Sequence, residues 1–134
     1  MTEAKVTMEV RAATDSASII DVQGEITSFA ENVLMDAYTQ ASSGGAKVII
    51  LNFEGLEYMN SGGIGLLVTM LIRANRQEQT LLAYGLTEHY QQIFELTRLN
   101  EAIQIFGNES EALAAVNGAA LRKQAGDARR SSRR

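Results

Sequence analysis

The chain has 134 residues, which fits one compact domain, and 46% of them are hydrophobic, ordinary for a globular core. It has no cysteine, which excludes disulfides, thiol nucleophiles and thiolate metal sites, and its one histidine, His89, has no second histidine to pair with. The net charge of −4 is uneven: residues 1–117 hold six basic and fifteen acidic residues, a balance of −9, whereas 118–134 hold six basic residues and only Asp127, a balance of +5.

From the N-terminus, Lys5–Ala13 alternates, with Val6, Met8 and Val10 on one side and Thr7, Glu9 and Arg11 on the other. That is the period-two pattern of a half-buried strand. Thr14–Ser16 reads as a hairpin turn. Ala17–Val22 reads as a second strand, ended by Gly24. Ser28 and Glu31 have the spacing of a capping box, which predicts a helix to about Ala41. Its apolar residues Phe29, Val33, Ala37 and Ala41 recur every four positions.

Lys47–Leu51 is apolar after its first residue and predicts a central strand. Asn52–Asn60 reads as a polar connector. A helix is expected from about Gly62 to Arg76, a strand over Thr80–Tyr84 and a helix over Glu88–Thr97 capped by Thr87. A short strand over Ala102–Phe106 and a last helix from Glu109, capped by Asn108, complete the order β-β-α-β-α-β-α-β-α. A starting hairpin followed by βαβ units implies an α/β fold: a mixed sheet of four to five strands with about four helices packed on it. The composition predicts one domain over 1–117 and a basic, disordered tail over 118–134. Ser131 and Ser132 lie among the arginines of that tail. The N-terminus has no apolar targeting segment and Ile64–Ile72 is too short to span a bilayer, so a cytoplasmic location is the expectation.

The chemistry concentrates at Asn60-Ser61-Gly62-Gly63, which opens directly into an apolar helix. Strand-to-helix junctions are exposed and carry function. A helix N-terminus has free N–H groups and a positive dipole end that tolerate a phosphate. Gly62 and Gly63 leave space beside the Ser61 hydroxyl. The alternative is purely local: Asn60 and Ser61 are both good capping residues, and the glycines can serve backbone geometry. No GxxxxGK[ST] pattern is present, so a phosphate-binding loop is not supported. At 100° per residue, Ile64, Leu67, Val68 and Leu71 form a stripe expected to face the sheet. Leu66 and Met70 fall nearly opposite, in line with Arg73, as an expected docking strip. No catalytic pair or triad can be built with His89 alone, and a surface position is expected for it.

The segment LNFEGLEYMNSGGIGLL resembles the signature of STAS domains, in particular the stand-alone anti-sigma factor antagonists: an apolar strand, a short connector, then Asp-Ser-Ser/Thr-Gly-Leu-Gly opening a helix. Gly24-Glu25-Ile26 matches the family's Gly-Glu-Leu segment. Ile93-Phe94-Glu95-Leu96-Thr97 with Leu99 matches the helix and turn before the last strand. The resemblance covers roughly residues 5–117. It implies a single STAS-like domain without enzymatic activity or cofactor. It also implies a partner, a kinase-type anti-sigma factor of the GHKL-like serine kinase class. That partner, using ATP and Mg²⁺, would phosphorylate Ser61 and so end binding, and a PP2C-type phosphatase would restore it. Partner-binding residues implied or read from the pattern are Gly24, Glu25, Thr27, Asn60, Ser61, Gly62, Gly63, Leu66, Met70 and Arg73. Three positions depart from the family pattern: Asn60 in place of Asp, Gly62 in place of Ser/Thr, and Thr27 where many antagonists have Asp. They leave room for a constitutive scaffold or assembly subunit, stressosome-like or transporter-associated. No nucleic acid or membrane partner is expected, and monomer and dimer both remain open.

Overall fold

The computed structural model describes residues 5–116. The basic tail and Ser131 and Ser132 lie outside the described residues. Strands β1 (Val6–Thr14) and β2 (Ala17–Ile26) form a hairpin, and helix α1 (Glu31–Ser42) follows a single 3₁₀ turn, Ser28–Ala30. Then come β3 (Val48–Met59), α2 (Ser61–Arg76), β4 (Thr80–Tyr84), α3 (Glu88–Leu96), α4 (Leu99–Ala102), β5 (Gln104–Phe106) and α5 over 109–116.

The five strands lie in sequence order, β1-β2-β3-β4-β5. β1 is antiparallel to β2 and the other neighbours are parallel. Each parallel crossover steps the same way across the sheet, so right-handed connections send α1, α2 and α3 to one face. Leu34 and Ala37 from α1, Leu67 and Met70 from α2, and Tyr90 and Phe94 from α3 share one buried cluster with Ile20, Ile49, Leu51 and Phe53 of the sheet. The opposite face carries Ile19, Val48, Ile50, Leu82 and Tyr84, covered by Ala112 and Val116 of α5. Both faces of β3 are therefore buried over Val48–Leu51, as its unbroken apolar run predicts. Among the described residues no helix is long and apolar enough to cross a membrane.

Four local expectations need correction. The capping box at Ser28 is not formed: Thr27 is the N-cap of the 3₁₀ turn, its Oγ1 accepting from the Phe29 N–H at 3.2 Å, and α1 begins only at Glu31. Phe29 is consequently outside the helix and exposed rather than part of its buried face. The connector expected over Asn52–Asn60 is strand. β3 runs on to Met59 beyond the end of β4 and pairs there with β2 alone. β2 likewise continues past Gly24, which has φ +104°. A β-carbon there would lie 2.2 Å from the Lys5 carbonyl oxygen, so glycine lets the strand bulge and continue. Finally, the turn at Arg98, itself left-handed at φ 63°, starts the short helix α4 that the pattern did not predict.

A polar ladder ties α5 to the sheet. Arg11 on β1 pairs with Asp21 on β2 and donates from Nη2 to Glu109 of α5 at 2.8 Å. Tyr84 on β4 donates its hydroxyl to Glu109 at 2.8 Å, and Asn52 on β3 donates to Asp21 at 2.7 Å. The Arg11 guanidinium holds both the Asp21 and Glu109 carboxyls below their ordinary values, and burial together with Glu109 raises the Tyr84 phenol. A carboxyl depressed in the folded state stabilises the fold fully above its unfolded value, and that contribution fades as pH falls through the folded value. Thermal stability should therefore decline as pH drops below the ordinary carboxyl values of 3.8 and 4.5. Arg11→Ala, measured by melting temperature against pH, should lower stability at neutral pH and flatten that acid limb.

Candidate functional site

The ends of β2 and β3 lie side by side, with Ile26 paired to Met59. Thr27–Phe29 and Asn60–Gly62 leave these ends together. The close approach explains the glycines. A β-carbon on Gly63 would lie 2.2 Å from the Ile26 carbonyl oxygen, and one on Gly62 would lie 3.0 Å from the Ser28 nitrogen. Both positions are used for internal packing of α2 against the β2 end and the 3₁₀ turn. They do not leave the vacant space beside Ser61 that the sequence suggested.

Asn60 is the N-cap of α2: its Oδ1 accepts from the Gly63 N–H at 3.0 Å, and its carbonyl accepts from Ile64 N–H at 3.0 Å. Its own N–H donates to the Ile26 carbonyl at 3.3 Å. Ser61 is therefore the first helical residue and not the cap. It is exposed, and among the described residues its hydroxyl makes no hydrogen bond. The backbone behind it is held from the other side, where the Tyr90 hydroxyl accepts from Met59 N–H at 2.9 Å and Phe94 meets Phe53 edge-on at 6.3 Å. The first turn of α2 contains no acid, so the positive end of the helix dipole beside Ser61 is not neutralised within the helix.

The helix is rotated from its expected setting. Gly63, Leu67, Met70 and Ala74 are its buried residues, while Val68 and Ile72 are exposed at 38% and 48%. Met70 is fully buried, which removes it from the docking strip proposed from periodicity; Leu66 is half-buried against the core. The cause is the Gly63 contact: the smallest side chains, at positions 63 and 74, mark the closest approach, and a count of large apolar residues misses them. Arg73 is exposed, but it lies twelve residues along α2 from Ser61, about 18 Å at helical rise. Gly24 and Glu25 pair with Leu56 and Tyr58, further back along the strands than the Ile26–Met59 pair. Thr27, Asn60, Ser61 and Gly62 are thus brought together, and Met70 and Arg73 are not part of that group. His89 is exposed, with its ring against Tyr90.

The outward stripe of α2 reads Ser61, Gly65, Val68, Ile72 and Arg76, with Phe29, exposed at 58%, on the adjoining 3₁₀ turn. Gly65 was not singled out from the sequence. A β-carbon there would meet nothing within 4 Å, so no internal contact requires glycine in this helix. The signal was available, because an isolated glycine inside a helical pattern costs about 1 kcal/mol against alanine and so stands out between apolar residues. Asn60, and not Ser61, supplies the hydrogen bond that caps α2. Asn60→Ala should cost about 1 kcal/mol of stability in denaturant unfolding, whereas Ser61→Ala should change it by less than about 0.5 kcal/mol.

Comparisons with known proteins agree with this fold. The family described as Mlab, STAS domain matches residues 10–106. The anti-sigma-B factor antagonist of Staphylococcus aureus (strain NCTC 8325 / PS 47) is 28% identical over 86 residues, which are 64% of this chain and 80% of that protein. The anti-sigma factor antagonist SpoIIAA in its unphosphorylated form superposes with a TM-score of 0.66 at 21% identity, over 84% of this chain and 99% of that one. An anti-sigma factor antagonist from Mycobacterium paratuberculosis gives 0.71 at 19% identity, over 87% and 99%. A mixed five-stranded sheet with its helices, a matching family profile over most of the described residues and this strand-to-helix junction lead to one conclusion: the chain belongs to the STAS domain family.

Proposed function

We propose that this protein is an anti-sigma factor antagonist that binds a kinase-type anti-sigma factor through the surface around Ser61 and is released when Ser61 is phosphorylated. The observation that carries the reading is the division of labour at the start of α2. Asn60 caps the helix, which leaves the Ser61 hydroxyl exposed and unbonded beside an unneutralised helix N-terminus. The relatives named anti-sigma-B factor antagonist support the class of partner. In the proposed switch the partner's ATP, with Mg²⁺, gives its γ-phosphoryl group to the Ser61 oxygen. The hydroxyl proton leaves to a base on the partner, and ADP departs. The product adds about −1.5 to −2 charges at the centre of the contact. The dipole of α2 tolerates that charge, but a desolvated interface does not. A PP2C-type phosphatase reverses the step by hydrolysis. The contact is formed by Thr27, Phe29, Asn60, Ser61 and the outward stripe of α2 through Gly65, Val68 and Ile72.

Asn60 favours a second reading, a STAS scaffold or assembly subunit without a switch. Its amide keeps the cap but places no charge beside Ser61. One experiment separates the two. The protein is incubated with its candidate kinase and ATP and the modified residue is mapped. Modification at Ser61, lost in Ser61→Ala, is the expected result, and a chain that binds its partner without ever being modified there is a scaffold. Gly65→Ala gives an independent check on the contact surface. It should raise stability by about 0.5–1 kcal/mol, since alanine is the better helix former, and yet weaken partner binding measured by calorimetry, because the new methyl stands on the contact stripe.

A further inference from the structure

The sheet ends in two unlike edges. β5 contributes three residues, whereas β1 contributes nine. In the β1–β2 hairpin, the Lys5 carbonyl accepts from the Glu25 N–H, and the register continues through Thr7–Gln23, Glu9–Asp21 and Arg11–Ile19. Bonded pairs alternate along an antiparallel ladder, so these odd-numbered residues direct their N–H and C=O groups toward β2. Val6, Met8 and Val10 direct theirs outward. Among the described residues none of those outward groups has a backbone partner beyond the hairpin.

A long strand edge of this kind pairs with another strand unless something prevents it. Here charge and the length of strand paired decide which pairing is favoured. A two-fold pairing centred on Thr7 sets Lys5 opposite Glu9 but, within the described residues, pairs only 5–9, whereas one centred on Val10 spans β1 from Val6 to Thr14. Only registers that match outward residues with outward residues can form the ladder. A two-fold pairing centred on Met8 sets Lys5 opposite Arg11. One centred on Glu9 sets that carboxylate opposite its own copy. One centred on Val10 sets Glu9 opposite Arg11 twice, with Met8 opposite Ala12 and Thr7 opposite Ala13. Glu9 and Arg11 would then occupy the non-hydrogen-bonded positions, where facing side chains are closest. Arg11 spends Nε and Nη2 on Asp21 and Glu109. Those carboxylates already share its charge, so what it offers a second chain is the free Nη1 donors, fixed in place by the ladder. Glu9 is exposed and has no ion pair among the described residues.

We propose that β1 is the interface of a symmetric homodimer in which two copies of this chain pair antiparallel about Val10 and join their five-stranded sheets into one. The full chain is examined by sedimentation equilibrium from micromolar to millimolar concentration, and the exchange of its backbone amides is followed by NMR over the same range. A monomer–dimer equilibrium is expected, with the Met8 and Val10 amides becoming protected as the dimer forms. Glu9→Lys, at an exposed position, should weaken the dimer by roughly tenfold, since two attractive cross-strand pairs become repulsive. Its circular dichroism should be unchanged. A wild-type chain that stays monomeric at millimolar concentration overturns the proposal. So does a dimer that Glu9→Lys leaves equally tight, or one that forms without protecting the Met8 and Val10 amides.

Discussion

The carbonyl oxygen of Ile26 lies 2.2 Å from where a β-carbon of residue 63 would stand, and the candidate site depends on that contact. The same oxygen receives the N–H of Asn60 as the chain turns out of β3. One carbonyl at the end of β2 thus both captures the start of α2 and sets how near it can come. Once Gly63 must face inward, helical periodicity places Leu67, Met70 and Ala74 beneath it and sends Ser61, Gly65, Val68 and Ile72 outward. Any side chain larger than hydrogen at residue 63 would lift the first turn and turn the serine away from its present direction.

The two faces of the sheet are held by different forces. The face under α1, α2 and α3 is joined by apolar packing, with one buried polar clamp in which Tyr38 donates to Gln79 at 2.7 Å and Gln79 donates to the Ala46 carbonyl at 3.1 Å. The face under α5 continues its apolar cluster into the Arg11–Asp21–Glu109 ladder. The site at Ser61 belongs to the first face, supported by Tyr90 and Phe94, and is separated from the charged ladder by the sheet itself.

Much of this was legible in the sequence because each feature had a local cause. The alternation at Val6–Val10, the apolar run at Val48–Leu51 and the hydroxyl before a glycine pair pointed to the hairpin, the central strand and the junction at which α2 begins. The missed features were those decided by partners distant in sequence. The polar second half of β3 is a two-stranded extension with β2, half exposed, so it never shows a continuous apolar signal. Ser28 and Glu31 have capping-box spacing, but Thr27 takes the role because the strand end and the Gly62 contact fix the 3₁₀ turn first. The facing of α2 departs from its apolar periodicity because the residues nearest the sheet include Gly63 and Ala74, which periodicity counts least.

The strand order repeats the order of the chain, and this bears on how the molecule is made. Each strand pairs with the one synthesised just before it, so the sheet can be extended from one side as the chain leaves the ribosome, without waiting for a distant segment. The β2–β3 ladder is the longest parallel pairing, and all of its residues precede α2 in the chain. The segment carrying the Ile26 carbonyl therefore leaves the ribosome ahead of Gly63. Sequence-neighbour pairing therefore lets the Asn60–Gly63 turn dock on strands that precede it in the chain, whereas α5, last in the described chain, binds groups presented by β1, β2 and β4.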